Sequence, residues 1–255
     1  MGNFGLALLV GVVAGIIEWD IYGGFHTMIN RPLAAGAIMG LVLGDLPKGL
    51  FIGASLEFVY LGSISVGAAI PPDAASATCI ATALAIISGI DKNVAIALAI
   101  PVASFAQMLQ MFIWTVNTGL MHKADESAVV GDIDGACKWH YVGMFLFFLQ
   151  GFAPAFLAVL FGAPYVAGLV SGMPTLITGS LKLAGSMLPA VGFAMLFILM
   201  NKPKLTPFFI IGFVLAASFK GTLVSTALIG LAAALIYVNS MEDGNAAKHV
   251  RRVRE

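Results

Sequence analysis

The stretch from Arg31 to Asp73, RPLAAGAIMGLVLGDLPKGLFIGASLEFVYLGSISVGAAIPPD, decides what kind of fold this chain adopts. It is apolar and rich in glycine, yet it is interrupted twice. The first apolar run starts at Pro32 and stops at Asp45-Leu46-Pro47-Lys48. A helix needs about 20 apolar residues to cross the hydrocarbon of a bilayer, and this run falls short. The second run, Gly49 to Ile70, is long enough to span, but it carries Glu57 near its middle and ends on Pro71-Pro72-Asp73. Irregular backbone at membrane depth persists only where protein or a water-filled cavity satisfies its polar groups. Transporters place their solutes at such broken helix ends. The stretch therefore predicts an all-α polytopic integral membrane protein whose broken helices surround a path for a small polar solute.

Composition agrees. The chain has 255 residues, of which 60% are hydrophobic and only 10% charged, where soluble domains carry about 25%. Lipid must cover much of such a surface. The 29 glycines suit membrane helices, in which small residues let backbones approach closely. The formal net charge is zero, which gives no reason to expect a nucleic-acid partner. Cys79 and Cys137 fit no metal or redox motif and predict no disulfide. His26, His122, His140 and His249 form no cluster, and no Walker loop, zinc signature or nucleophile elbow is present. The chain is not expected to be catalytic alone or to hold a cofactor or metal. Met1-Gly2-Asn3-Phe4 offers no basic region of a signal peptide, so the first apolar segment reads as a retained span.

Outward from Arg31–Asp73, Phe4 to Ile17 is apolar and is followed at once by Glu18 and Asp20. Ala74 to Ile90 ends at Asp91-Lys92, and Val94 to Leu120 reads as a span with Pro101 near its start. His122 to Trp139 reads as a long polar loop. Tyr141 to Val170 is apolar, with Pro154 and Pro164 as kinks or boundaries. Met173 to Leu183 is mixed, and Leu188–Met200, Leu205–Phe219 and Leu223–Val238 are apolar again. The expected organisation is one transmembrane domain over residues 1–240 and a basic cytoplasmic tail over 241–255. The basic end, Lys248 to Arg254, and the turn with Lys202 and Lys204 mark the cytoplasmic side by the positive-inside rule.

Five residues stand out as candidates for solute contact. Glu57 is a carboxylate inside an apolar run, which costs about 3 kcal/mol on insertion scales. It needs a cavity or a partner, and its two oxygens suit neighbouring hydroxyl groups. The alternative is a paired glutamate that only locks helices. Tyr60 shares its helical face. Asp73 either caps the helix that follows or lines a site at that helix start. Ser65, in the Gly62–Gly67 stretch, offers a small hydroxyl or a packing notch. Gln107 lies mid-span, where its amide can bond a solute or another helix; Gln110, on the next face, carries a weaker signal. Asp20, with Glu18, Trp19 and Tyr22, is either part of a site or polar trim of an interfacial aromatic belt. Arg31 and Lys48 read as snorkelling side chains that bracket the short segment.

Together these residues resemble a known family. Asn30-Arg31-Pro32-Leu33, Gly40 to Asp45, Gly49 to Glu57, Gly67 to Ala74, and Ala99-Ile100-Pro101 with Gln107 are similar to the IIC component of mannose/fructose/sorbose-type sugar phosphotransferase systems. Gly185, Pro189 to Gly192 and Pro207 to Phe213 extend the match. The resemblance implies a fold of broken and re-entrant helices with a mobile core and a scaffold, in the bacterial cytoplasmic (inner) membrane. It implies a IID membrane subunit, soluble IIA and IIB phosphocarriers, a hexose-type sugar that emerges phosphorylated, and a trimer of IIC–IID pairs. By position, Glu57, Asp73 and Gln107 match sugar-contacting residues. Asp73 leans toward the mannose or fructose members, whereas Ser65 stands where mannose-type members tend to have Asn. A self-sufficient proton-coupled transporter using Glu57 remains the competing sequence reading.

Overall fold

The computed structural model describes residues 3–23, 26–63, 70–162, 165, 168, 172–200, 202, 205–218 and 222–254. Helices follow one another along the chain: α1 Asn3–Tyr22, α2 Pro32–Val42, α3 Leu46–Tyr60, α4 Ala74–Ile87, α5 Lys92–Val129 and α6 Ile133–Leu157, the last prolonged by a π-helical turn, Ala158–Gly162. After them come α7 Thr175–Met200, α8 Thr206–Ser218 and α9 Leu223–Arg254. Among the described residues, four stretches, Phe4–Tyr22, Lys92–Val129, Ile133–Gly162 and Thr175–Met200, are long and apolar enough to cross a membrane. Two compact units are present, residues 1–199 and 200–255.

The core of the first unit is α4. Every residue from Ala75 to Ala85 is buried, which the sequence permits because the helix is apolar or small all round. Asp73 starts it by accepting from the Ser76 N–H at 3.0 Å, and Gly89, at φ +67°, follows its end. Around α4 pack α1, α2, α3, α5 and α6.

The interrupted stretch forms a tight hairpin of α2 and α3. Gly44 turns the chain at φ +81°, a conformation that suits glycine, and Asp45 caps α3 through the Lys48 N–H. The two helices touch backbone to backbone. A Cβ on Gly36 would lie 2.7 Å from the Gly49 carbonyl oxygen, and one on Gly53 would lie 2.6 Å from that of Pro32. The span expected over 49–70 ends at Tyr60. Its 15 residues extend about 22 Å at 1.5 Å per residue, so α3, like α2, is a short helix. Gly62, just beyond its end, abuts Met195 and Leu196 of α7.

The polar loop expected over 122–139 is instead two helix ends. α5 runs unbroken past Pro101 to Val129, and only Val130-Gly131-Asp132 turns before α6. Charged residues such as Lys123 and Glu126 are good helix formers; their polarity reports contact with water rather than absence of structure. The 38 residues of α5 measure about 57 Å, against about 30 Å of hydrocarbon, so α5 is much longer than an upright crossing needs.

Helices α1 and α6 interlock through glycine and phenylalanine. Gly11 and Gly15 face Phe152 and Phe148, which belong to a stacked ladder with Phe156. Helix α7 is a single helix across the mixed segment expected at 173–183. Gly185 and Gly192 lie on the carbonyls of Asn93 and Phe58, and Lys182 Nζ pairs with Asp91 Oδ2 at 3.3 Å. In the second unit, Phe208 of α8 meets Tyr237 of α9 edge to face at 5.4 Å, and α9 continues through the basic end of the chain. Pro164 lies outside the described residues.

Cys79 is buried in α4 and Cys137 is exposed on α6, both as free thiols. A polar maleimide should modify one cysteine in the native protein, and Cys79 only after denaturation. Labelling of both thiols in the folded state would contradict the burial of α4.

Candidate functional site

A cavity of about 290 Å³ opens where the end of α1, the start of α2, the end of α3, the start of α4 and the middle of α5 converge. Glu18 and Tyr22 reach it from α1, Tyr60 from α3, Asp73 from the α4 cap, and Gln110 and Trp114 from α5. The short helices account for this convergence. Because α3 stops at Tyr60 and α4 starts after Asp73, two helix ends and their polar groups lie inside the unit.

Asp73 does what a cap does and more. Its Oδ1 accepts from Ser76 N, while its buried Oδ2 has no hydrogen-bond partner among the described residues. Its own N–H donates to the Ala103 carbonyl of α5 at 3.3 Å. Glu18 is only 4% exposed. Its Oε1 accepts from Gln150 Nε2 at 2.9 Å across the α1–α6 contact, and its Oε2 is buried without a partner. Gly151 permits this meeting, because a Cβ there would stand 2.7 Å from that of Glu18. The Tyr60 hydroxyl is likewise buried and unpartnered. Gln110 donates to the Tyr22 hydroxyl, and the Tyr22 ring is stacked on Phe147 at 4.4 Å. A buried polar group without a partner costs about 1–3 kcal/mol, and native proteins rarely leave one so. Glu18, Asp73 and Tyr60 thus bring two carboxyl groups and a phenol to the wall of one cavity, each with a buried polar atom that the protein leaves unpaired.

The other candidates stand one step back. Glu57 is not among the residues lining this cavity. Its Oε1 accepts from Arg31 Nε at 2.9 Å and from Arg31 Nη2, and its Oε2 accepts from Leu33 N at 3.2 Å. It thereby caps α2 and holds Arg31, which does line the cavity. Gln107 donates to the Ile70 carbonyl, so it fastens the chain just before Pro71, Pro72 and Asp73. Asp20, buried, accepts from the Thr27 N–H at 3.0 Å and the Thr27 hydroxyl at 2.7 Å. It thus clamps a turn in which His26 and Met28 have positive φ, 49° and 65°, before Asn30 and Arg31 enter the cavity wall. Ser65 lies outside the described residues. Gln150, which no sequence reading singled out, carried the same signal as Gln107, an amide inside an apolar helix.

Comparison with known proteins gives this geometry a context. A family model described as the PTS system sorbose-specific IIC component matches residues 4–236. The chain belongs to that family. The fructose permease IIC component of Bacillus subtilis is 36% identical over 94% of this chain and 88% of that protein. The mannose-specific EIIC component of Escherichia coli K12 is 36% identical over 91% and 86%. A solved structure described as that of a membrane protein superposes with a TM-score of 0.82 at 35% identity, over 92% of this chain and 95% of the other. A cryo-EM structure of the mannose transporter ManYZ with microcin E492 gives a TM-score of 0.59 at 36% identity, over 92% and 94%. This chain is a multi-pass IIC permease component of the mannose/fructose/sorbose type, as the motifs from Arg31 to Asp73 led one to expect.

Proposed function

We propose that this IIC chain supplies the sugar site and the sugar's route in a phosphotransferase system that imports a hexose-type sugar and releases it phosphorylated in the cytoplasm. The single observation that carries this reading is the cavity with unpartnered oxygens on Glu18 and Asp73 and an unpartnered hydroxyl on Tyr60. Sugar hydroxyls donate to the carboxylates and accept from the phenol. In this reading Asp73 is a direct contact. Glu57, Gln107 and Asp20 act through Arg31, the Ile70 carbonyl and the Thr27 turn, respectively. The ManYZ likeness supports a IID membrane subunit as the partner. Membership of the family supports soluble IIA and IIB phosphocarriers, a trimer of IIC–IID pairs, and a bacterial inner membrane as the site of action. Nothing in the geometry favours proton coupling through Glu57, whose oxygens are committed to Arg31 and Leu33.

Inverted vesicles and whole cells expressing this chain with IID and the phosphocarriers test the proposal. Uptake of labelled mannose or fructose should require phosphoenolpyruvate and deliver only the phosphate ester. Accumulation of unmodified sugar by this chain alone on a proton gradient would overturn it.

A further inference from the structure

Arg31 is a charged cavity group to which the proposed sugar contacts give no part. Among the described residues that line the cavity it is the one cation, beside the acids Glu18 and Asp73. A guanidinium keeps its charge at any physiological pH and offers five N–H donors in a planar fork. Two of them, on Nε and Nη2, go to Glu57 Oε1. The remaining three have no partner among the described residues, and the side chain is 45% exposed. Glu57 is itself fixed by Leu33 N at the first turn of α2, so the plane of the fork is set from behind while its outer edge stays available.

A neutral sugar brings no charge for this cation to balance, whereas its phosphorylation does. In the family's reaction a sugar hydroxyl oxygen forms a bond to phosphorus as the phosphocarrier's own bond to that phosphorus breaks. The hydroxyl proton passes to the carrier atom that is released, and nothing is oxidised or reduced. The product gains a phosphate of about −1.5 to −2 charge, within a cavity that already contains two acids. Arginine meets such oxygens in pairs of charge-assisted hydrogen bonds. We propose that Arg31, oriented by Glu57 as a positioning residue, contacts the phosphoryl group as it is passed to the sugar and sets the cavity's affinity for the phosphorylated product. This rests on the reading that the cavity holds the sugar.

The test uses the intact IIC–IID complex in lipid nanodiscs with its phosphocarriers, comparing the native chain with R31Q, R31K and E57Q. Equilibrium binding is measured for mannose, fructose and their phosphate esters, and kcat and KM for phosphorylation. In R31Q the ratio of sugar-phosphate affinity to sugar affinity should fall about 10-fold or more, and kcat should fall with it. R31K, which keeps the charge without the fork, should lie between. E57Q should lower kcat more than it raises KM. An unchanged affinity ratio in R31Q, whatever its kcat, would overturn the role of Arg31. Should R31Q fail to assemble, R31K and E57Q carry the same comparison. If the native complex binds neither free sugar, the reading of the cavity fails, and this inference with it; if free sugar binds and only the affinity ratio is insensitive to Arg31, the inference fails alone.

Discussion

Glu18→Ala should lower phosphoenolpyruvate-dependent sugar uptake by about 100-fold while the permease remains folded and inserted. The side chain is buried, lines the cavity and leaves one oxygen unpartnered. A hydrogen bond lost so that a buried partner is left unsatisfied costs about 1–3 kcal/mol, and about 1.4 kcal/mol is tenfold in affinity. Alanine removes the proposed sugar acceptor and also releases Gln150, whose amide donates to Glu18 Oε1, so the wall of the cavity loses its shape as well as a hydrogen-bonding group. Glu18→Gln keeps the size and one carbonyl acceptor, and should cost roughly tenfold. Uptake kinetics on cells with matched membrane levels of the two variants check this. Full activity of Glu18→Ala would remove Glu18 from the site and leave its burial unexplained.

Glu18 also shows where sequence reading stops. The apolar run ends at Ile17 and two acids follow within three positions, so the local pattern reads as the end of a span at the interface. The helix in fact continues to Tyr22 with Glu18 and Asp20 both buried. What buries Glu18 is an amide 132 residues away, admitted by Gly151. No local periodicity encodes that meeting. Glu57 was legible as a carboxylate needing a partner, because a lone charge among apolar residues must be compensated. Its partner was not, since Arg31 at a segment end fits a snorkelling side chain equally well. Asp73 was fully legible in its local role, as proline followed by aspartate and small residues specifies a capped helix start. The short α2 was legible from Asp45-Leu46-Pro47, whereas the end of α3 at Tyr60 was not, since no charge or proline follows it before Pro71.

The hairpin of α2 and α3 gives the second large effect. Gly49→Leu should prevent recovery of a monodisperse, folded permease. Helices in lipid gain little from apolar contact with each other and associate through close van der Waals packing. Here the contact is at its closest. A Cβ on Gly49 would collide with the Gly36 carbonyl oxygen and stand 2.6 Å from Gly40 Cα, and one on Gly40 would stand 2.9 Å from Gly49 Cα. These are backbone atoms, which cannot swing aside as a flexible side chain does. Overpacking in a dense interior costs about 1–3 kcal/mol and occasionally more; a leucine that forces two helices apart belongs at the upper end. Gly49→Ala should lower the unfolding temperature without abolishing the fold, and Leu50→Ala, at an exposed neighbour, should leave it nearly unchanged. The hairpin also shapes the proposed site, since Arg31 stands at the N-terminus of α2, with Glu57 and Tyr60 near the C-terminus of α3. Separating the helices by one side chain would therefore part Arg31 from Glu57 and move Tyr60 in the cavity. Any Gly49→Ala protein that survives in detergent should lose sugar binding by a larger factor than its modest loss of stability would predict. Thermal melts and sugar titrations on the same purified samples separate the two effects, and native-like stability of Gly49→Leu would refute the close contact itself.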